Sequence, residues 1–232
     1  MNSELRYESS GGIATITIAR PAKKNAINKN VARGLAEAWD RLESGPDRVA
    51  VITGEGDGAF TSGVDVTDPP EGYGFLPGLG GTITKPVIAA VSGWCVGAGM
   101  VMVNRADICV ADEDAEFMYP EPKLAVGRGL LAGIVHRVPY KAAMEILLLA
   151  EAMPAERMSE LGLVNRITPH GNAVKVAMDL AANLASYDLD TLRFIKECVL
   201  KTLPEGPGEF AEAMRARGDK LPGNQTWGKK DA

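Results

Sequence analysis

Residues 85–121, KPVIAAVSGWCVGAGMVMVNRADICVADEDAEFMYPE, decide how the rest of the chain is read. The run from Pro86 to Val91 is apolar and β-branched and is bounded by Pro86 and Gly93, the pattern of a buried strand. Three small residues, Gly97-Ala98-Gly99, then turn into an apolar helix from about Met100, and residues 107–111 form a second short strand. Small side chains where a helix begins let a ligand approach bare N–H groups, and the helix dipole there favours negative charge. Such a turn can stabilise a carbonyl oxygen becoming an oxyanion. Glu121, held between Pro120 and Pro122, sets a carboxylate at the end of the same stretch. The two together suit proton transfer at the carbon beside a carbonyl. Each also has a plainer explanation: close packing for the turn, a surface loop for Glu121.

The remaining composition narrows the choice. A chain of 232 residues with 46% hydrophobic side chains implies one domain with a real core and room for a small helical appendage. Net charge is −5 and the basic residues are scattered, which disfavours nucleic acid or an anionic membrane as the main partner. Cys95, Cys109 and Cys198 lack metal-ligand spacing and cannot all pair, so they read as reduced thiols. His136 and His170 lie far apart, giving no basis for a zinc site or a His-centred triad, and no metal is expected. The first residues carry no apolar or Arg-rich targeting pattern, and no apolar run is long enough to span a bilayer; the expected location is the cytoplasm.

Outward from the central stretch, residues 12–19 alternate apolar and Thr side chains as a strand does. Pro21 breaks it, and Lys23 and Lys24 put two charges beside a turn. Asn30 is placed to cap a helix running to about Leu42, and residues 48–54 form the next buried strand, a βαβ order. Residues 69–81 are rich in Gly and Pro and read as a loop or lid, with Phe75 and Leu76 turned onto a pocket or onto a neighbouring helix. Helices are expected over residues 128–138, 140–149, 154–161, 172–184, 189–200 and 209–220, and a short strand over 163–167. The polar tail from Gly223 is expected to be disordered.

Five stretches, in order, make the sequence resemble the crotonase superfamily, the enoyl-CoA hydratase/isomerase group: ARPAKKNAIN, VAVITGEGDGAFTSGVD, KPVIAAVSGWCVGAGM, ADICVADEDAEFMYPEPKLAV and AERMSELGLVNRI. The resemblance implies an α/β fold, the crotonase (ClpP-like) fold of repeated ββα units with two roughly perpendicular sheets. It implies a core over residues 1–167, a C-terminal helical trimerisation region over 168–232, and homotrimers or hexamers. It also implies an acyl-CoA substrate, with coenzyme A as part of the thioester and no separate cofactor. Carried onto this chain, the oxyanion hole is the N–H groups of Val64 and Ala98, where the family usually has Gly at the second position. An Ala serves there if its φ is negative. Lys23 and Lys24 fall in the loop that would bind CoA, together with Ala26 and Ser62; two solvated lysines are an equal reading.

The sequence departs from the family at its first catalytic glutamate, which falls on Val101; the second is present as Glu121. Asn104, Arg128 and Leu130 are further departures, the last two placed to reshape an acyl pocket. Pocket shape is also expected to depend on residues 73–79, Met100 and Met118. One carboxylate suits a 1,3-proton shift along an enoyl thioester better than hydration, which needs a held water as well; losing a positioned acid–base group typically costs about 10²–10⁴-fold. The expectation is therefore isomerase-like chemistry at Glu121. An enoyl-CoA hydratase or carnitinyl-CoA-type dehydratase is the alternative, and a weakly catalytic acyl-CoA binder is a third. Tyr119 is a hydrogen-bond donor or a packing residue, Asp65 a loop anchor, and Cys95 a small buried side chain.

Overall fold

The computed structural model of the chain describes residues 3–203 and 217–226. Its strands, in chain order, are β1 (Leu5–Ser10), β2 (Ile13–Ile18), β3 (Val49–Gly54), β4 (Ala59–Thr61), β5 (Val87–Val91), β6 (Trp94–Val96), β7 (Ile108–Asp112), β8 (Glu116–Met118), β9 (Met153–Pro154) and β10 (Arg166–Thr168). The helices are α1 (Lys29–Ser44), α2 (Ala98–Arg105), α3 (Tyr140–Leu149), α4 (Ala155–Glu160), α5 (Ala173–Ser186), α6 (Leu189–Thr202) and α7 (Pro222–Thr226). The strands make a six-stranded sheet ordered β1-β2-β3-β5-β7-β10 and a four-stranded sheet ordered β4-β6-β8-β9. From β2 to β10 every pairing in the larger sheet is parallel.

Because parallel strands need covered faces, β3 and β5 are buried along their whole length. Leu35, Ala38 and Leu42 of α1 join the main core on one side. Ala173, Ala177 and Ala181 of α5 pack on Val49, Val51, Ile88, Ala90 and Val110 on the other. Small side chains at every fourth residue let that helix lie close to the sheet. A division after residue 167 would pass through β10, and α5 beyond it closes the sheet. Among the described residues no helix is long and apolar enough to cross a membrane.

Several local expectations change. Helix α1 starts two residues earlier than Asn30 would place it: Asn28 is the cap, its side chain accepting from the Val31 N–H at 2.9 Å. Residues 128–138 are not an α-helix but turns with a 3₁₀ segment, Ala132–His136. Leu131, Ile134 and Val138 are buried at helix-like intervals, yet Gly129 at φ +66° keeps the start of the stretch out of a helix and the rest closes as 3₁₀. Strand β1 was not expected; it pairs with β2 through a hairpin turning on Gly11 and Gly12, both at positive φ. In the 69–81 loop Phe75 and Leu76 are buried, and the Trp39 indole of α1 donates to the Phe75 carbonyl at 2.8 Å. Pro222–Thr226 form α7, where disorder was expected from Gly223; the rest of that tail lies outside the described residues. Most of the helix expected over 209–220 lies outside the described residues.

Candidate active site

Two glycines bring the site's walls together. Gly63, at φ +90°, lets the turn after β4 lie against the turn into α2; a Cβ there would stand 3.0 Å from the Val96 carbonyl oxygen and 3.5 Å from the Ala98 nitrogen. Gly97, at φ +55°, faces the Gly63 Cα and the Pro120 ring, each about a van der Waals contact from where its Cβ would be. Between these turns opens a cavity of about 400 Å³ lined by Val64, Ala98, Val101, Tyr119, Glu121 and Arg128, among others.

Among the described residues, the Val64 and Ala98 N–H groups of this cavity are two that take no backbone acceptor. Val64 bridges Ile27, but in that parallel bridge the bonds run from the Ile27 N–H to the Gly63 carbonyl and from the Asp65 N–H to the Ile27 carbonyl. The Val64 N–H therefore points away from the bridge. Ala98 is the first residue of α2, where an N–H has no intrahelical acceptor. Its φ is not positive, so Ala occupies this position without strain.

Glu121 opens a 3₁₀ turn (Glu121–Leu124) and is partly buried. Its carboxylate accepts from the Arg128 N–H, 3.2 Å to Oε2 and 3.4 Å to Oε1. Burial raises its pKa above the ordinary glutamate value; the Tyr119 hydroxyl, the Arg128 and Gly129 N–H groups and the Arg128 charge offset this only in part. Tyr119 is 4% exposed, and its hydroxyl finds no partner in hydrogen-bonding geometry. It nevertheless lies near enough to Glu121 for each to shift the other's titration, and burial and that carboxylate push the phenol far up. Among the described residues Glu121 is the carboxylate of the cavity lining; Val101, 1% exposed, lines the same cavity from α2, at the position that the resemblance gives to a second glutamate.

The other sequence candidates distribute as follows. Ser62 lines the cavity, and its N–H donates to the Lys24 carbonyl at 2.9 Å. Lys23 and Lys24 are exposed beside it, Lys24 at φ 49°. Ala26 is buried, its carbonyl taken by Arg20 at 2.7 Å, and it does not line the cavity. Asp65 accepts from the Thr67 N–H and hydroxyl and from Arg20, anchoring its loop. Of the expected pocket residues, Tyr73, Phe75 and Leu130 line it, whereas Met100 is in the core and Met118 is off the lining. Cys95 is fully buried and burial holds its thiol well above the usual value, so it is no nucleophile at neutral pH.

Residues that the sequence did not single out hold the site in place. Asn25 is fully buried at φ 55°, its amide donating to the Ala59 and Glu55 carbonyls and accepting from the Arg20 N–H. It fastens the Lys23–Lys24 loop to β4; an Asn in the left-handed region was the available signal. A larger cavity, about 550 Å³, lies at the far end of α2 by Arg105 and Arg137, but its carboxylate, Asp107, is engaged by Lys196 at 2.7 Å. Asp112, Asp114 and His170 place ligand atoms within 4.8 Å of one another. Asp112, however, already accepts the first N–H groups of the α5 turn.

The chain is similar to known proteins in sequence and in fold. The sequence pattern described as enoyl-CoA hydratase/isomerase matches residues 8–74 and 80–215. The chain is 30% identical to the enoyl-CoA hydratase EchA19 of Mycobacterium tuberculosis, over 88% of this chain and 92% of that one. It is 31% identical to the carnitinyl-CoA dehydratase of Salmonella typhi, over 91% and 97%. The structure of a carnitinyl-CoA hydratase from Mycobacterium avium superposes with a TM-score of 0.87 at 26% identity, covering 98% of this chain and 94% of the other. With the two sheets and flanking helices in place, the chain belongs to the enoyl-CoA hydratase/isomerase family and has the crotonase fold.

Proposed function

We propose that this protein moves a proton along an enoyl-CoA thioester, shifting a 3-enoyl to a 2-enoyl double bond. The thioester oxygen accepts from the N–H groups of Val64 and Ala98, and the acyl chain occupies the 400 Å³ cavity. Glu121, as carboxylate, takes a proton from the α-carbon. The C–H electron pair enters the conjugated dienolate, whose oxygen charge rests on the two N–H groups and the start of α2. Glu121 then returns the proton at the γ-carbon, leaving the enzyme as it began. The step draws on nothing beyond the CoA thioester itself. Lys23, Lys24 and Ser62 hold the CoA phosphates and pantetheine end at the cavity rim, with Ala26 shaping the loop behind them.

The observation that carries this reading is Val101 at the position where a second carboxylate would hold water, beside a retained Glu121. Hydratase or carnitinyl-CoA-type dehydratase chemistry is the second reading, favoured by the names of the relatives. Supplying 3-hexenoyl-CoA and crotonyl-CoA to the purified protein separates them. The expected result is isomerisation of the first and slow hydration of the second, with Glu121→Gln slowing isomerisation by about 10²–10⁴-fold. Fast hydration without isomerisation sinks the proposal in favour of the second reading. CoA-ester binding with no turnover would leave an acyl-CoA-binding role instead.

A further inference from the structure

The C-terminal segment 217–226 grips Gly127 of the active-site loop by both its N–H and its carbonyl. The Asn224 side-chain amide accepts from the Gly127 N–H at 3.4 Å and donates to the Gly127 carbonyl at 3.0 Å and to the Gly218 carbonyl at 2.7 Å. The Gly223 N–H adds a bond to the Ala125 carbonyl at 3.0 Å, and Arg128 pairs with Asp219 at 3.0 Å. The fit is close enough to exclude side chains. A Cβ on Gly127 would stand 2.6 Å from the Leu221 side chain, and one on Gly218 would stand 2.5 Å from the Gly127 carbonyl oxygen. One on Gly223 would run into the Leu124 and Ala125 backbone.

The gripped carbonyl belongs to the same planar unit as the Arg128 N–H, the group that donates to Glu121. A peptide plane cannot turn one edge without the other, so fixing the Gly127 oxygen fixes the direction of the Arg128 N–H. Accepting a hydrogen bond at the oxygen also makes that N–H a better donor. We propose that Asn224 is a positioning residue for Glu121: it holds the Gly127–Arg128 peptide so that the Arg128 N–H stays on the carboxylate. The inference rests on Glu121 being the proton carrier. The groups bearing on that carboxylate are the Tyr119 hydroxyl, with Tyr73 behind it, the Arg128 and Gly129 N–H groups, and the Arg128 guanidinium with its partner Asp219.

The test follows the Glu121 carboxyl directly, by NMR titration of ¹³C-glutamate-labelled full-length protein, with the signal assigned by its loss in Glu121→Gln. In Asn224→Ala the carboxyl should titrate higher than in the wild type by roughly half to one pH unit. Gly218→Val, which drives a side chain against the Gly127 carbonyl oxygen while leaving residue 224 an Asn, should shift it the same way. With 3-hexenoyl-CoA as probe, the acidic limb of the kcat/KM profile should move to higher pH by a similar amount in both variants. A residue that merely walls the cavity would raise KM and leave the limb in place. Superimposable carboxyl titrations in folded wild type and both variants overturn the inference. Wild-type turnover by Glu121→Gln overturns the proton-carrier reading instead, and the carboxyl titration still decides what Asn224 does.

Discussion

At Glu121, burial opposes ionisation more than its hydrogen bonds support it, and this sets a stability prediction as well as a catalytic one. The folded-state pKa lies above the unfolded value near 4.5. Such a group favours folding while both states are protonated, and that favour is lost as pH rises through the folded value. Glu121→Gln should therefore unfold at a higher temperature than the wild type at about pH 8, by a few degrees. The gap should close as pH falls toward 4.5, and thermal melts across pH read it directly. Equal melting temperatures at every pH would mean that the carboxylate is not desolvated. Val101 offers the converse change. It faces the same cavity from α2, so Val101→Glu supplies a second carboxylate where water could be held. Hydration of crotonyl-CoA should rise at least about tenfold, with some loss of stability from the buried charge. An unchanged hydration rate in folded protein would show that the missing glutamate is not what limits that reaction.

Elements differ in how far the sequence discloses them. Strands β2, β3 and β5 and helices α1, α5 and α6 were legible because each runs long enough for its apolar period to show. Strands β4, β6 and β8 were not, since three residues cannot display an alternation. Residues 128–138 misled because Leu131, Ile134 and Val138 mimic a helical stripe along what is a turn and a 3₁₀ segment. Motif order placed Val64, Ala98 and Glu121 in one cavity, while the Arg128 N–H and Asn224 stayed hidden. A backbone donor has no residue-type signature, and Asn224 reaches the site only through tertiary packing. Asp112 was missed for the same reason. From the end of β7 it accepts from the Gly171, Asn172 and Ala173 N–H groups at 2.9, 3.1 and 2.8 Å and from the Thr168 hydroxyl at 3.1 Å. Burial works against its charge, but the Ser92 hydroxyl and those donors outweigh it and lower its pKa. Its contribution is thus present above the ordinary aspartate value of 3.8 and lost as pH falls through the lowered one. Asp112→Ala should cost about 2–4 kcal/mol at neutral pH by leaving the start of α5 without acceptors, measured by urea unfolding. A loss under about 0.5 kcal/mol, the size of an ordinary surface change, would deny Asp112 that capping role.

At the scale of the whole molecule, α6 is unfinished. It is held to the body by Arg193, which reaches Glu43 at 2.8 Å and Thr84 at 2.7 Å, and by Lys196, which reaches Asp107 at 2.7 Å. None of its residues is buried, although Phe194 is 67% exposed and Ile195 and Val199 each 54%. An amphipathic helix pinned by its polar side, with its apolar side in water, is the mark of a surface that another molecule covers. We propose that the cover is further copies of this chain, assembled as a trimer or a pair of trimers. Light scattering on the purified protein should give a mass of three or six chains. Phe194→Asp with Val199→Asp should lower that mass while leaving the far-ultraviolet circular dichroism of the subunit in place, because α6 contributes nothing to either core cluster. A wild-type protein that runs as a single chain at micromolar concentration would remove the proposal. A double variant that keeps the full mass would move the interface elsewhere on the surface.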